Sequence, residues 1–438
     1  MKYSQFNSIV PFNNQYALFN SFEKKVIMLE PELKELLEAG KRDGIDELSE
    51  IHPDFYDYLK EEYFLVDEDV NEVQKVKEIS KKIDNNPNMF FLIVNPTMNC
   101  NFKCWYCYET HIKKSRLEET VLDSVNKFIT KTVSQKSIKS FILSFFGGEP
   151  LLYFNRNVTP MIDHLVEECK KYDTEFNIAF TTNGYLLNDE FINYFVDRNL
   201  EAGLQITFDG YGEEHDKVRF VNKTRGSYNE IVSNIKNLLK HDNFFVRARI
   251  NYTHENIHNC FKIVDEFSYL SEEEKKKKLL FDFHRVWQDD EPDGTNIVAD
   301  ENAEKMKTKG FNTKVMYSIN NVQDPCYADK RNSATINYNG DLYKCTARDF
   351  LPKNRVGYLT QDGDLVWENN HLERRMEAKF QNKPCLQCRL LPLCNGGCSQ
   401  HAVEHIELGD EYCIYNGDDH EKDKVVLSKI EEIVNALA

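Results

Sequence analysis

The stretch that decides the fold is NCNFKCWYC, residues 99–107, two residues beyond the apolar run FFLIVNP at 90–96. It spaces Cys100, Cys104 and Cys107 as CX3CX2C. Zinc sites normally draw on four ligands, commonly in pairs two to four residues apart. Three thiols on one short loop, with no fourth nearby, instead suit an iron–sulfur cubane with one iron left open. Such an iron binds a small chelating ligand. A zinc ion borrowing a distant His or Cys is the alternative.

Outward from this loop, residues 90 to about 288 alternate apolar strands with amphipathic helices. Strands are expected at 90–96, 141–146, 176–182, 202–208, 246–252 and 279–287, with helical patterns such as 117–130 and 158–171 between them. This alternation implies a parallel sheet with helical crossovers, either an open barrel or a doubly wound sheet. Short motifs stand at the strand ends: FFGGEP at 145–150, TTNG at 181–184 and QITFDG at 205–210, followed by HDKVR at 215–219. Each is weak alone, but ligands of such sheets gather at the C-terminal ends of the strands.

Taken in this order, the motifs resemble those of the radical S-adenosylmethionine (SAM) superfamily, over residues 90 to about 415. CX3CX2C with an aromatic residue, Tyr106, before the third cysteine is similar to its cluster-binding signature. The resemblance implies an α/β fold built on a partial (β/α)6 barrel. It implies that Gly147, Gly148 and Glu149 meet the methionine amino group of SAM and that Asn183 lies near the ribose. It assigns the SAM carboxylate to Thr207 and Arg219, with Arg249 on the next strand as a competitor. The implied chemistry belongs to the cofactor: an electron passed into the sulfonium yields a 5′-deoxyadenosyl radical that takes hydrogen from an unactivated carbon.

A second cysteine group follows. Cys326 and Cys345 flank the turn NGD with Gly340, a hairpin signal, and Cys385, Cys388, Cys394 and Cys398 run CX2CX5CX3C ahead of Cys413. A zinc ribbon is the alternative. The register resembles the SPASM extension of radical SAM enzymes, which implies two auxiliary clusters and three 4Fe–4S clusters in all. One would use Cys385, Cys388, Cys394 and Cys413, the other Cys326, Cys345 and Cys398. No cysteine stands just upstream of Cys326, so Asp324 or a substrate group is a candidate for the open position. Cys169 has helical apolar neighbours and reads as a core thiol.

The 12 cysteines stand in a chain of net charge −17, in which no apolar run approaches bilayer length and the N-terminus has no signal pattern. A cytoplasmic enzyme is expected, with thiols kept reduced, no nucleic-acid partner and no membrane. The basic run at 275–278 reads as a solvated helix end. Residues 1–85 read as strand, strand, helix, helix, strand, a winged-helix-like module, joined onward by a polar segment at 67–88. Residues 86–300 are expected to form the barrel and residues 301–438 the SPASM domain with a C-terminal helix at 425–437.

The resemblance implies a maturase of ribosomally made peptides, whose N-terminal module takes a precursor's leader as an added strand and which forms a side-chain cross-link. The alternative is an enzyme of the anaerobic sulfatase-maturating type. Those relatives carry an acidic residue directly after the cysteine equivalent to Cys345; here it is Thr346, a poor base, with Asp349 further on. An electron-donor protein of flavodoxin or ferredoxin type is an implied partner. Strand-end groups Glu109, Asp209, His284, Arg285 and Gln288 are candidates near the reacting centre.

Overall fold

The computed structural model describes residues 1–222, 224–289, 294–315 and 321–437. The acidic stretch 290–293 and Asn320 lie outside the described residues. The chain opens with β1 (Lys2–Tyr3), β2 (Asn7–Phe12), β3 (Gln15–Asn20) and β4 (Lys25–Leu29), and β5 (Leu65–Val66) follows the helices Pro31–Asp43 and Pro53–Glu61. Strands β2, β3 and β4 pair antiparallel in that order, and β1 pairs with β5. Both prolines sit in the first helical turn, where their missing N–H is an orphan anyway. Leu18, Leu29, Leu37, Leu48, Phe55 and Leu59 close a small core beneath them.

Two expectations for this region change. It gains two strands, the short β1 and β2, and Pro11 is tolerated in β2 because β2 lies at a sheet edge. The polar segment 67–88 is largely a helix, Glu72–Asp84, capped by Asn71, whose side chain accepts from the Gln74 N–H at 3.0 Å. Its apolar stripe is thin, which is why it read as a linker.

The second half of the topology begins with seven strands: β6 (Met89–Val94), β7 (Ser140–Phe145), β8 (Glu175–Thr182), β9 (Ala202–Phe208), β12 (Phe244–Tyr252), β13 (Leu279–Arg285) and β14 (Asn312–Val315). A two-stranded ribbon of β10 (Phe220–Asn222) and β11 (Arg225–Gly226) lies apart from them. The seven are parallel and paired in chain order. A doubly wound sheet would reverse its strand order at a switch point; this one does not, so the fold is an open (β/α) barrel.

Its strands alternate in a way that buried parallel strands do not. Register places Ser144, Thr181, Gln205, Thr207, Arg249 and Asp282 on one face. The other face carries Phe145, Phe180, Leu204, Ile206, Ala248, Ile250 and Phe281, all buried in one continuous core. The polar face is therefore the inner one, and it is a lining rather than a packed interior.

Past β14 the described chain falls into two compact units that interleave along the sequence. The described residues of 332–371 join 87–316 in one compact unit, and those of 317–331 and 372–438 join 1–86 in another. The reason is edge pairing. β15 (Ser333–Ile336) adds to β6 in parallel, and β16 (Asp341–Tyr343), β17 (Gly357–Leu359) and β18 (Leu365–Trp367) continue the sheet antiparallel. They cover an edge that would otherwise present unpaired backbone groups.

The run at 275–278, expected as a solvated helix end, does end a helix with Lys276 and Lys277 exposed, and is corrected at its other two lysines. It is a capped helix, Glu272–Lys278, but Lys275 and Lys278 are buried, and Lys278 Nζ donates to the Leu239 carbonyl at 3.1 Å and meets Asp242 at 2.8 Å. Among the described residues no helix is long and apolar enough to cross a membrane.

Candidate functional site

The cysteine loop hangs from the C-terminal end of β6 and is pinned at three points. Tyr106 is the first: its Oη donates to Asp209 Oδ1 at 2.5 Å and accepts from Arg219 Nη2 and Asn251 Nδ2, both at 2.9 Å. Arg219 Nε also donates to Asp209. The second is Asn101, whose Oδ1 accepts from Asn183 Nδ2 at 2.7 Å. At the third point, the Glu149 N–H donates to the Asn99 carbonyl at 2.9 Å.

Glu149 is fully buried. Its carboxylate accepts from Thr182 Oγ1 at 2.8 Å, the Asn183 N–H at 2.8 Å and the Leu151 N–H at 3.0 Å. Burial raises its affinity for a proton, and the three donors oppose that. Gly148 stands at φ +48°, and a Cβ there would come within 2.2 Å of the Asn99 carbonyl oxygen. Only glycine lets the GGE turn approach the loop this closely. The Gly148 N–H donates to Glu109 Oε2 at 2.7 Å, and burial lifts the Glu109 carboxyl to about 7.

Thr207 is buried on the inner face of β9, two residues before Asp209. Arg249, the competitor for its partner, turns its Nε to Asn251 Oδ1 at 2.8 Å, and burial lowers its proton affinity. The other strand-end candidates divide. Gln288 Nε2 donates to the Tyr106 carbonyl at 2.9 Å, whereas Arg285 turns to Asp289. His284 shares the inner face with Arg249 and meets Asp282 Oδ2 at 3.0 Å. Asn101, Thr182 and Asn251 escaped the sequence reading; only their closeness to NCNF, TTNG and the β12 strand end could have flagged them.

The KCTARDF segment, residues 344–350, adjoins the same loop. Tyr108 Oη donates to the Thr346 carbonyl at 2.7 Å. Asp349 accepts from the Thr110 N–H at 2.9 Å and from Thr110 Oγ1 at 2.6 Å. Cys345 therefore belongs to the barrel unit with Cys100, Cys104 and Cys107, and Cys326, Cys385, Cys388, Cys394, Cys398 and Cys413 belong to the other.

In that other unit Cys385, Cys388, Cys394 and Cys413 line one cavity of about 160 Å³. That is about tenfold the ~10–15 Å³ that admits a single water, so the space suits a polyatomic group. Asn382 ties its walls together, with Nδ2 3.0 Å from Cys385 Sγ and 2.6 Å from the Tyr412 carbonyl. Four soft thiols around such a space fit an iron–sulfur cluster. Asp324 is exposed. Cys169 and Cys260 are buried in the barrel core.

Six of these thiols share one electrostatic feature. Burial pushes Cys100 up to about 12 and Cys107 up to about 11, and raises Cys104, Cys385, Cys388 and Cys394. Without a cation these groups hold their protons, so loading a cluster must release them.

Residues 94–264, which carry the three thiols and the GGE turn on a parallel sheet, match the family model of the Radical SAM superfamily. The chain carries a radical SAM domain and is related in sequence to anaerobic sulfatase-maturating enzymes. It is 24% identical over 353 residues to the cysteine-type anaerobic sulfatase-maturating enzyme of Clostridium novyi (strain NT), covering 72% of this chain and 88% of the relative. Its fold is similar to native anSMEcpe with bound AdoMet (TM-score 0.60, 17% identity, 80% of this chain and 100% of that one). It is similar as well to Streptococcus suis SuiB bound to precursor peptide SuiA (TM-score 0.53, 16% identity, 93% and 96%).

Proposed function

We propose that this enzyme is a peptide maturase that removes hydrogen from a ribosomally made precursor and installs a side-chain cross-link. The observation that carries the reading is the N-terminal sheet β2–β3–β4, whose end strand β4 offers backbone groups for an added leader strand. The likeness to SuiB, a protein seen with its precursor peptide, supports it and extends over this N-terminal region in covering 93% of the chain.

Cys100, Cys104 and Cys107 would hold the SAM-binding cluster, and Gly147, Gly148, Glu149, Asn183, Thr207 and Arg219 would surround SAM. Cys385, Cys388, Cys394 and Cys413 would hold one auxiliary cluster, and Cys326, Cys345 and Cys398 the other. When bound, cluster and SAM supply a one-electron cleavage that generates a hydrogen-abstracting radical. The chain's own part is to orient and shield. Tyr106 fixes the loop against Asp209, Arg219 and Asn251. Glu149 holds the ends of β7 and β8 together through Thr182 and Asn183.

The sulfatase-maturase reading draws on the similarity to those enzymes over 72% of this chain. Against it, Thr346 stands where an acidic base is expected, and both Asp349 oxygens are engaged by Thr110. The test is anaerobic co-expression with short peptides encoded beside the gene, followed by intact mass. Loss of two hydrogens from one of them supports the proposal. Oxidation of a sulfatase cysteine or serine peptide, with every neighbouring peptide unchanged, sinks it.

A further inference from the structure

The unit that carries Cys326 and Cys398 contains a buried ionic network. Lys379 Nζ meets Asp84 Oδ2 at 2.6 Å and Asp329 Oδ2 at 3.5 Å, with all three side chains almost wholly enclosed. Ser399 Oγ donates to Asp329 Oδ1. Arg375, also buried, donates from Nε to Ser399 Oγ at 2.9 Å and from Nη1 to Gln400 Oε1 at 2.5 Å. Two carboxylates and two cations balance. Burying such a group is costly and adds little net stability, so its placement calls for a reason beyond stability.

Its position supplies one. Asp329 ends the turn that starts at Cys326, and its N–H donates to the Cys326 carbonyl at 2.9 Å. Ser399 directly follows Cys398, the N-cap of the Ser399–Leu408 helix. The Asp329–Ser399 hydrogen bond thus ties the two cysteine turns to each other. Lys379 anchors that tie to Asp84 at the end of the Glu72–Asp84 helix, where Ser80 Oγ donates to Asp84 Oδ2 at 3.1 Å. Partners one shell beyond metal ligands orient those ligands and tune the metal.

We infer that Asp329 and Ser399 are positioning residues for a cluster held by Cys326 and Cys398, with Lys379 and Arg375 as their counter-charges. The inference rests on the proposed auxiliary-cluster assignment of those two cysteines. It separates two roles: the hydrogen bond sets the spacing of the turns, and the Asp329 charge lowers the cluster's reduction potential.

The test uses the full chain, reconstituted anaerobically, with iron and sulfide counted per chain. Low-temperature electron paramagnetic resonance of the reduced protein is recorded with and without SAM. Ser399→Ala and Asp329→Ala are expected to lose the same cluster signal and iron that Cys398→Ala loses, while the SAM-responsive signal keeps its intensity. Asp329→Asn keeps an acceptor for Ser399, so it is expected to retain the cluster and raise its midpoint potential, since one negative charge beside the cluster is gone. A role confined to folding would not move that potential. Full iron with unchanged spectra in both alanine variants overturns the inference, as does an unshifted potential in Asp329→Asn. If an alanine variant fails to fold, the Asp329→Asn potential alone decides. If wild type binds iron for the SAM cluster only, the auxiliary assignment fails first and this inference falls with it.

Discussion

The two cysteine-bearing regions differ in what holds them up. Cys100, Cys104 and Cys107 are presented by a parallel sheet whose core is continuous from β6 to the strands beyond β14. The described residues of 383–418 offer only the short helices Lys383–Leu386, Leu391–Cys394 and Ser399–Leu408, and the apolar side chains around them fall into separate small clusters. In the first region a finished scaffold offers thiols to a cluster. In the second the thiols occupy the place of a core, so a cluster bound there would be part of the fold.

Cys104→Ala is expected to have the largest effect on function and a small one on structure. 5′-Deoxyadenosine release should fall below detection, while strands β6 to β13 keep their hydrogen-exchange protection. Loss of protection in those strands would break the comparison from the barrel side. Iron chelation of the reconstituted protein should strip protection from residues 383–418 well before the barrel strands, read by exchange and mass spectrometry. Equal loss in both regions would show that the barrel depends on metal too.

Tyr106→Phe sharpens the barrel side. Removing the hydroxyl leaves Asp209, Arg219 and Asn251 without a shared partner in a buried setting, at a cost of about 1–3 kcal/mol, read as a lower Tm of the metal-free protein. A Tm equal to wild type would mean that water replaces the hydroxyl and that the loop is not pinned there.

The smallest effect concerns pH. His215 is buried and neutral: its Nδ1 accepts from the Asp209 N–H at 3.2 Å, its Nε2 meets Ser227 Oγ at 3.0 Å, and burial with the nearby Arg219 charge holds its proton affinity well below the usual histidine range. The folded state therefore takes up a proton only at a pH well below the unfolded chain's. His215's contribution is fully present above pH ~6.5 and declines below it, by up to about 1.4 kcal/mol per pH unit. Denaturant titrations of wild type and His215→Asn across that range should differ in slope. Parallel curves would remove His215 from the acid response.

Much of the barrel was legible because its signals are local. Apolar runs at 90–96, 141–146 and 202–208 fall on β6, β7 and β9, and the GGE and TNG turns follow β7 and β8. Cys169 among Ile162, Leu165 and Val166 read as core and lies in the core. What stayed hidden depends on partners far along the chain. Strand β2 was missed because Pro11 weakens its pattern, and the Glu72–Asp84 helix because its buried face is Val76, Ser80 and Asp84 rather than an apolar stripe. Lys278 looked solvated because nothing nearby announces the Leu239 carbonyl or Asp242, and Lys275 because nothing nearby announces the Lys309 carbonyl.

By itself, the sequence determined the thiol loop, the motif order and the alternation that makes the sheet parallel, since spacing and periodicity are properties of neighbouring residues. Tertiary structure alone decided that 332–371 extend the barrel sheet, that 321–331 and 372–437 pack with the N-terminal region, and that Asp329 meets Ser399. Edge pairing and buried charge balance are settled between residues far apart in the chain, where no local pattern records them.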